Sequence, residues 1–325
     1  MKNLFKKFSL GLVASTAALA MAAVHADDFP SRDISVQVTF PPGGGTDLLA
    51  RLISTPLGEA LDSPVVVENK PGASGNIAAR YVARSSPDGH TLLMVNSSYA
   101  VNPAVLKDIP FDPIEDLEGV VNFAYVPAAL IVPEESGYES LEDYIEAAKV
   151  DGKKVFFGSC GNGTPQHLAG EMINQVAGTN LVHVPYAGCG PALNDVMANQ
   201  VESALVSASS ALAQIDSGKI RALAVTSKER SDLLPDVPSI SELGYDDYDV
   251  NQWHGLLAPA GTPMAVKEKI AAEVQSILES EEILKRMQQL GYTIGGEGPQ
   301  EFDEIVKGDI QRYKEVAESV ELISD

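Results

Sequence analysis

The sequence predicts an α/β protein built on a parallel sheet covered by helices on both faces. Three observations lead there. Short apolar, β-branched runs alternate with amphipathic stretches along most of the chain, the pattern of repeated β–α units. The 325 residues exceed one ordinary small domain and suit two lobes or one large α/β unit. The C-terminal part then changes to apolar residues at three- and four-residue spacing, such as Val266, Ile270, Val274 and Ile277, the period of helices.

Taken in order, residues 34–40 read as a strand and 47–61 as a helix, in which Pro56 should cause a kink or break. Strands follow at 64–68 and 91–96, around a helix at 75–84. A strand at 128–132 precedes a helix at 141–149. Short strands are predicted at 155–158, 181–185, 204–206 and 221–226, with helices between them. The chain ends on helices at 263–279, 282–290 and 300–319. It contains no internal repeat and no low-complexity tract.

The first residues read as an export signal. Lys2, Lys6 and Lys7 form a basic start, residues 8–23 are apolar and small, and Val24-His25-Ala26 suits signal cleavage. The apolar run falls short of the roughly 20 residues of a spanning helix, which argues against a retained anchor. The expected product begins at Asp27, outside the cytoplasm, in an oxidising compartment.

Lys plus Arg total 23 against 45 Asp plus Glu, a net charge of -22. Nucleic-acid and anionic-membrane binders need a basic face, so both classes are disfavoured. Two cysteines exclude a disulfide-rich scaffold and a four-thiolate zinc site.

Ligands of open α/β sheets bind beyond the carboxyl ends of the strands. Glycine-rich loops occupy such places at 40–47 (FPPGGGTD), 158–165 (GSCGNGTP) and 186–191 (YAGCGP), with a weaker one at 70–75 (KPGASG). Thr164 is a good helix cap and Pro165 suits a first helical position. Such turns aim free N–H groups and the positive end of a helix at one point, which favours an anion. One glycine-rich turn alone is usually steric necessity; several on one side of a sheet point to a ligand.

Catalytic and cofactor signatures are thin. Gly158 and Gly163 have P-loop spacing, but Thr164 stands where lysine is required, and no dinucleotide fingerprint follows the first strand. The histidines show no metal-ligand spacing, and no Gly-x-Ser-x-Gly elbow occurs. No metal and no cofactor is therefore expected. His183 reads as a satisfied sheet residue. For His167 two readings stand, a bond to its own loop or a ligand contact. Trp253 reads as core packing before ligand contact.

Several ordered motifs carry a family resemblance: FPPGGGTD at 40–47, NKPGASGN at 69–76, PDGHTL at 87–92, GNGT at 161–164 with HLAGE at 167–171, HVPY at 183–186, RALAVT at 221–226, LPDVP at 234–238 and APAGTP at 258–263. Together they resemble the Bug (TctC-like) family of periplasmic solute-binding proteins, the binding component of tripartite tricarboxylate transporters. The resemblance covers essentially the whole mature chain. It implies a two-lobed type II periplasmic-binding-protein fold, a Venus flytrap closing on a small carboxylate. It implies no enzyme activity, a periplasmic location, integral-membrane transporter subunits as partners, and a monomer. It implies a ligand among dicarboxylates, tricarboxylates, aromatic acids, acidic amino acids and nicotinate-like acids.

Carried over by position, the first-lobe contacts are Phe40, Gly45, Thr46 and Asp47, with Gly72, Ala73, Asn96 and Ser97 nearby. The second-lobe contacts are Ser159, Cys160, Gly161, Asn162, Gly163, Thr164 and His167, then Tyr186 and Ser207. The sequence departs from the family's pattern at Cys160 and Cys189, at Ser207-Ala208 where an acid or amide is common, and at His254 where an aromatic is frequent. These departures bear on ligand identity. The alternatives to transport are a ligand sensor or, on the same fold, a hydrolase; a thiol-redox protein would need a Cys-x-x-Cys, which is absent.

The lobes are expected at 27–126 plus 253–325 and at 127–252, after a signal at 1–26. Extended crossings near 122–128 and 251–256 would form a hinge. Cys160 and Cys189 follow strands expected to be neighbours about 4.8 Å apart, within reach of the roughly 4.4–6.8 Å that a disulfide spans. A disulfide is expected there, against two buried thiols as the alternative. None of the three main loops contains Lys or Arg. The acid would then be held by backbone N–H groups, helix N-termini and the hydroxyls of Ser159, Thr164 and Tyr186. Without an acid at Ser207, a plain carboxylate is expected over an amino acid.

Overall fold

The computed structural model describes residues 29–319; the expected signal at 1–26 lies outside them. Two mixed sheets share one strand. In the first, β1 (Ile34–Val38) pairs in parallel with β2 (Val65–Asn69) and β3 (Thr91–Asn96). Next to β3 runs β9 (Asn251–Pro259), antiparallel, and then the first half of β4 (Leu117–Pro133). The second half of β4 enters the other sheet, pairing antiparallel with β7 (Ser203–Ser207) and β8 (Ile220–Val225). There β5 (Val155–Ser159) lies parallel between β7 and β6 (Leu181–Pro185). The two-residue β10 (Thr293–Ile294) adds to β4.

The wholly parallel sheet expected from the alternation is thus corrected to a mixed one. Only β4 runs through both sheets, and β9 lies beside its first half in the opposite direction, with Val126 facing Gln252 and Pro127 facing Asn251. Apolar runs report burial, and a strand buried on both faces reads alike in either direction. Instead of a short strand at 128–132, β4 is one 17-residue strand.

Helices cover both faces. Leu49, Ile53 and Leu57 of α1 (Gly45–Ala60) are fully buried against the first sheet. Contrary to expectation, α1 runs unbroken through Pro56. Proline removes one N–H, and the packed Ile53 and Leu57 on either side of it hold the turn. Next come α2 (Asn76–Ala83), α3 (Ser98–Val105), α4 (Leu141–Ala148), α5 (Pro165–Ala177), α6 (Cys189–Met197) and α7 (Ala208–Asp216). The C-terminal helices are α8 (Met264–Leu278), α9 (Glu281–Leu290) and α10 (Pro299–Ser319). One apolar cluster runs beneath both sheets, joining Val95 and Tyr99 to Leu130 and Phe157 through Trp253, Phe302 and Ile310. Among the described residues no helix is long and apolar enough to cross a membrane.

Candidate functional site

A cleft of about 760 Å³ opens where the sheets meet. Its floor is strand: Val126 of β4 with Gln252 and His254 of β9. The two-residue strand period sends Gln252 and His254 into the cleft and Trp253 the other way. There Trp253 is fully buried and donates Nε1–H to Asp309 Oδ2 at 2.8 Å, which fits its reading as core.

One wall is the loop from Phe40 to Thr46 at the head of α1, with Asn96 beside it. Asp47 braces this loop from behind. Its carboxylate accepts from the Gly43 amide at 2.8 Å, from Asn69 Nδ2 at 2.8 Å and from Arg51 Nε at 3.0 Å. Burial alone would raise the Asp47 pKa, but bonds from Arg51, Gly43 and Asn69 hold it below the ordinary value. Asn69 Nδ2 also donates to the Phe40 carbonyl at 3.0 Å. Gly45 permits a close approach: a Cβ there would meet the Tyr292 phenol oxygen and push it aside.

The opposite wall is Cys160, the turn from Ala187 to Cys189, and Ser207, Ser209 and Ser210 at the head of α7. A disulfide joins Cys160 to Cys189, with Cα atoms 4.3 Å apart. Parallel pairing of β5 with β6, Ser159 opposite Pro185, brings the two loops side by side. Gln166 buttresses this wall from α5, donating to Ser207 Oγ at 3.2 Å and to Gln252 Oε1 at 3.3 Å.

The electrostatics follow from these parts. Among the described residues lining the cleft, none is Asp, Glu, Lys or Arg. Burial lowers the His254 pKa to about 3, so its imidazole is neutral at pH 7. The N-termini of α1, α6 and α7 all open onto the cleft, and none has a side-chain cap bond. Free N–H groups and the positive helix ends there favour an anion. By contrast α5 is closed by its own Thr164, whose Oγ1 accepts from His167 N at 3.3 Å. A second concavity of about 620 Å³, lined by Ala73, Ile77, Arg80 and Leu106, lies elsewhere and shares no lining residue with the cleft.

A family model described as "Tripartite tricarboxylate transporter family receptor" matches residues 49–322. The chain belongs to this receptor family. Protein BugT of Bordetella pertussis is 33% identical over 306 residues, 94% of this chain and 94% of BugT. The solved periplasmic binding protein BugD is 32% identical with a TM-score of 0.73, covering 91% of this chain and 100% of that one. The R. palustris protein Rpa4515, solved with adipate, is 32% identical at TM-score 0.75, covering 90% and 98%. MatC of Rhodopseudomonas palustris, solved with bound malate, is 28% identical at TM-score 0.72, covering 89% and 100%. The receptor fold is accordingly the two-lobed α/β fold of solute-binding proteins.

Of the residues singled out in the receptor's sequence, the cleft brings together Phe40, Gly45, Thr46, Asn96, Cys160 and Ser207. The others stand outside its lining. Asp47 supports the loop from behind. Gly72 and Ala73 belong to a turn of four successive positive-φ residues, 72–75, and Ala73 lines the separate concavity. Ser97 is fully buried beneath the start of α3. Asn162 is exposed, and the Gly163 amide donates to His167 Nδ1 at 3.2 Å. His167 therefore takes the first of its two readings, bonding its own loop, and stacks on His183 at 3.6 Å between ring centres.

The three hydroxyls expected at the carboxylate are engaged elsewhere. Ser159 Oγ lies 2.6 Å from His183 Nε2 and receives the Gly161 amide at 3.1 Å. Thr164 Oγ1 donates to the Gly161 carbonyl at 2.8 Å, and Tyr186 donates to Asp195 Oδ2 at 2.8 Å. Ser159 and Thr164 each bond Gly161, two and three residues away, while His183 reaches Ser159 from the neighbouring strand β6 and Asp195 reaches Tyr186 from α6. Ser159 with His183 has the look of a nucleophile and base, yet Ser159 is fully buried and absent from the cleft lining. The sequence reading missed Gln252, Ser209, Ser210, Leu290 and Tyr292 as lining residues. For Gln252 the signal was available in the alternation around Trp253; for Tyr292, brought in by the fold of α9, nothing local marks it.

Proposed function

We propose that this protein captures a small organic carboxylate outside the cytoplasm and presents it to the integral-membrane subunits of a tripartite tricarboxylate transporter, without chemical turnover. One observation carries the reading: three helix N-termini, unfilled by side chains, face a cleft lined by no charged residue. A carboxylate would be bound by amides and hydroxyls alone, so no strong ion pair has to break on release. The solved relatives with malate and adipate support an acid of this size.

The contacts proposed are Phe40, Gly45, Thr46 and Asn96 on one side and Cys160 and Ser207 on the other. Residues 27–126 with 253–325, and 127–252, act as the closing lobes, with β4 and β9 as the hinge. Without a lining acid an ammonium group has no charged partner, so plain carboxylates are favoured over amino acids. Calorimetry tests this with adipate, malate, citrate and benzoate against aspartate and glutamate. Binding by one or more of the plain acids is the predicted result; binding of amino acids alone overturns the reading.

A further inference from the structure

We propose that His254 is the cleft's specificity-determining contact, hydrogen-bonding through its neutral imidazole the second polar end of a bound dicarboxylic acid. The proposal rests on the reading of the cleft as a carboxylate site. Its own support is a hydrogen-bond accounting of the cleft. Asn96 Nδ2 reaches Thr46 Oγ1 at 3.4 Å, and Gln166 serves both Ser207 and Gln252. His254 differs. It is 2% exposed, it lines the cleft, and its Nδ1 has no hydrogen-bond partner. Among the described residues a few buried side-chain atoms are unpaired, and His254 Nδ1 is the one that belongs to a cleft-lining residue. A buried polar atom without a partner is costly and uncommon in a folded protein, and a ligand is one way to satisfy it.

The position suits a ligand held at two ends. The imidazole lies edge-on to Tyr292, ring centres 5.2 Å apart, and the Tyr292 hydroxyl abuts Gly45 at the head of α1. An acid with one carboxylate at the helix N-termini would extend its other end along the floor toward β9. A neutral imidazole carries one N–H donor and one bare acceptor nitrogen, placed according to tautomer. It can therefore pair with a carboxylate, a carboxylic acid or a hydroxyl. A methyl end leaves it unpaired. The cleft should then reject a monocarboxylate of equal length, because a site built to hydrogen-bond discriminates strongly against an analogue lacking the group. The depressed basicity of His254 agrees with a contact made by a neutral ring.

Adipate and hexanoate, equal in chain length, provide the test by calorimetry. Wild-type protein should bind adipate at least about tenfold more tightly than hexanoate. His254→Phe keeps a ring against Tyr292 and removes the nitrogens, so the ratio should fall toward one while hexanoate affinity holds. His254→Asn, which retains a hydrogen-bonding group, should recover part of the ratio. Thermal unfolding verifies that each variant is folded. In wild-type protein labelled with 15N-histidine, adipate should shift the His254 ring-nitrogen resonances, a readout that needs no variant. A ratio unchanged in folded His254→Phe, or ring-nitrogen resonances indifferent to bound adipate, overturn the proposal and leave the carboxylate reading standing. Wild-type protein that binds none of adipate, hexanoate, malate, citrate and benzoate overturns the carboxylate reading itself.

Discussion

Replacing Cys160 and Cys189 together by alanine removes the covalent tie between the loop after β5 and the first residue of α6. The bond closes a segment with a sequence separation of 29. In the chain-entropy account, opening such a loop costs about 3.6 kcal/mol at 25 °C, through the greater freedom of the unfolded chain. Strand pairing of β5 with β6 survives the replacement, so the native fold should persist at lower stability. Denaturant unfolding under oxidising conditions, compared between wild type and the double variant, reads the difference. Wild type measured with a reductant should fall to the level of the variant. Adipate affinity should weaken as well, because α6 presents one of the three helix ends and its first residue loses its tether. Stability within about 0.5 kcal/mol of wild type, in oxidised samples, would refute the reasoning.

Three further predictions concern the cleft and its supports. Gly45→Ala places a methyl group against the Tyr292 hydroxyl; adipate affinity should drop at least about tenfold while the unfolding midpoint barely moves, since alanine is the better helix former, and calorimetry beside thermal unfolding separates the two. Thr164→Val removes the α5 cap, so stability should fall by about 1 kcal/mol with ligand affinity within about twofold, the residue lying outside the cleft lining. His254, with its folded pKa held near 3 by burial, binds its proton far less readily than in the unfolded chain, whose value is about 6.5. Between those values the unfolded state holds the extra proton, so stability is complete above pH 6.5 and falls as pH drops, by roughly 1.4 kcal/mol per unit from this residue. Unfolding free energies at pH 7, 6 and 5 should decline less steeply in His254→Phe; parallel lines would count against the burial argument.

The fold was legible where a local signal decides the local structure. Thr164 followed by Pro165 marks the start of α5 as expected, and the spacing of Val266, Ile270 and Val274 gives α8 its buried stripe. Cysteines after two neighbouring strands were enough to foresee the bond. The antiparallel run of β4 beside β9 was not legible, because burial patterns carry no strand direction. At the cleft, backbone features were readable and side-chain roles were not. The glycine-rich loops at 40–46 and 187–189 do line it. The hydroxyls of Ser159, Thr164 and Tyr186 do not, since a sequence shows which groups can bond and not which neighbour reaches them first. His254 was visible only as a departure from a pattern; its unpaired nitrogen emerges once β9 is placed across the floor.

A crystal structure of this protein grown with adipate tests the central claim most directly. The account predicts density for the acid between the two lobes, with carboxylate oxygens within about 3.2 Å of backbone N–H groups at the heads of α1, α6 or α7 and no Lys or Arg side chain against them. Adipate paired instead with a cationic side chain, or seated in the concavity beside Ala73 and Arg80, would contradict it.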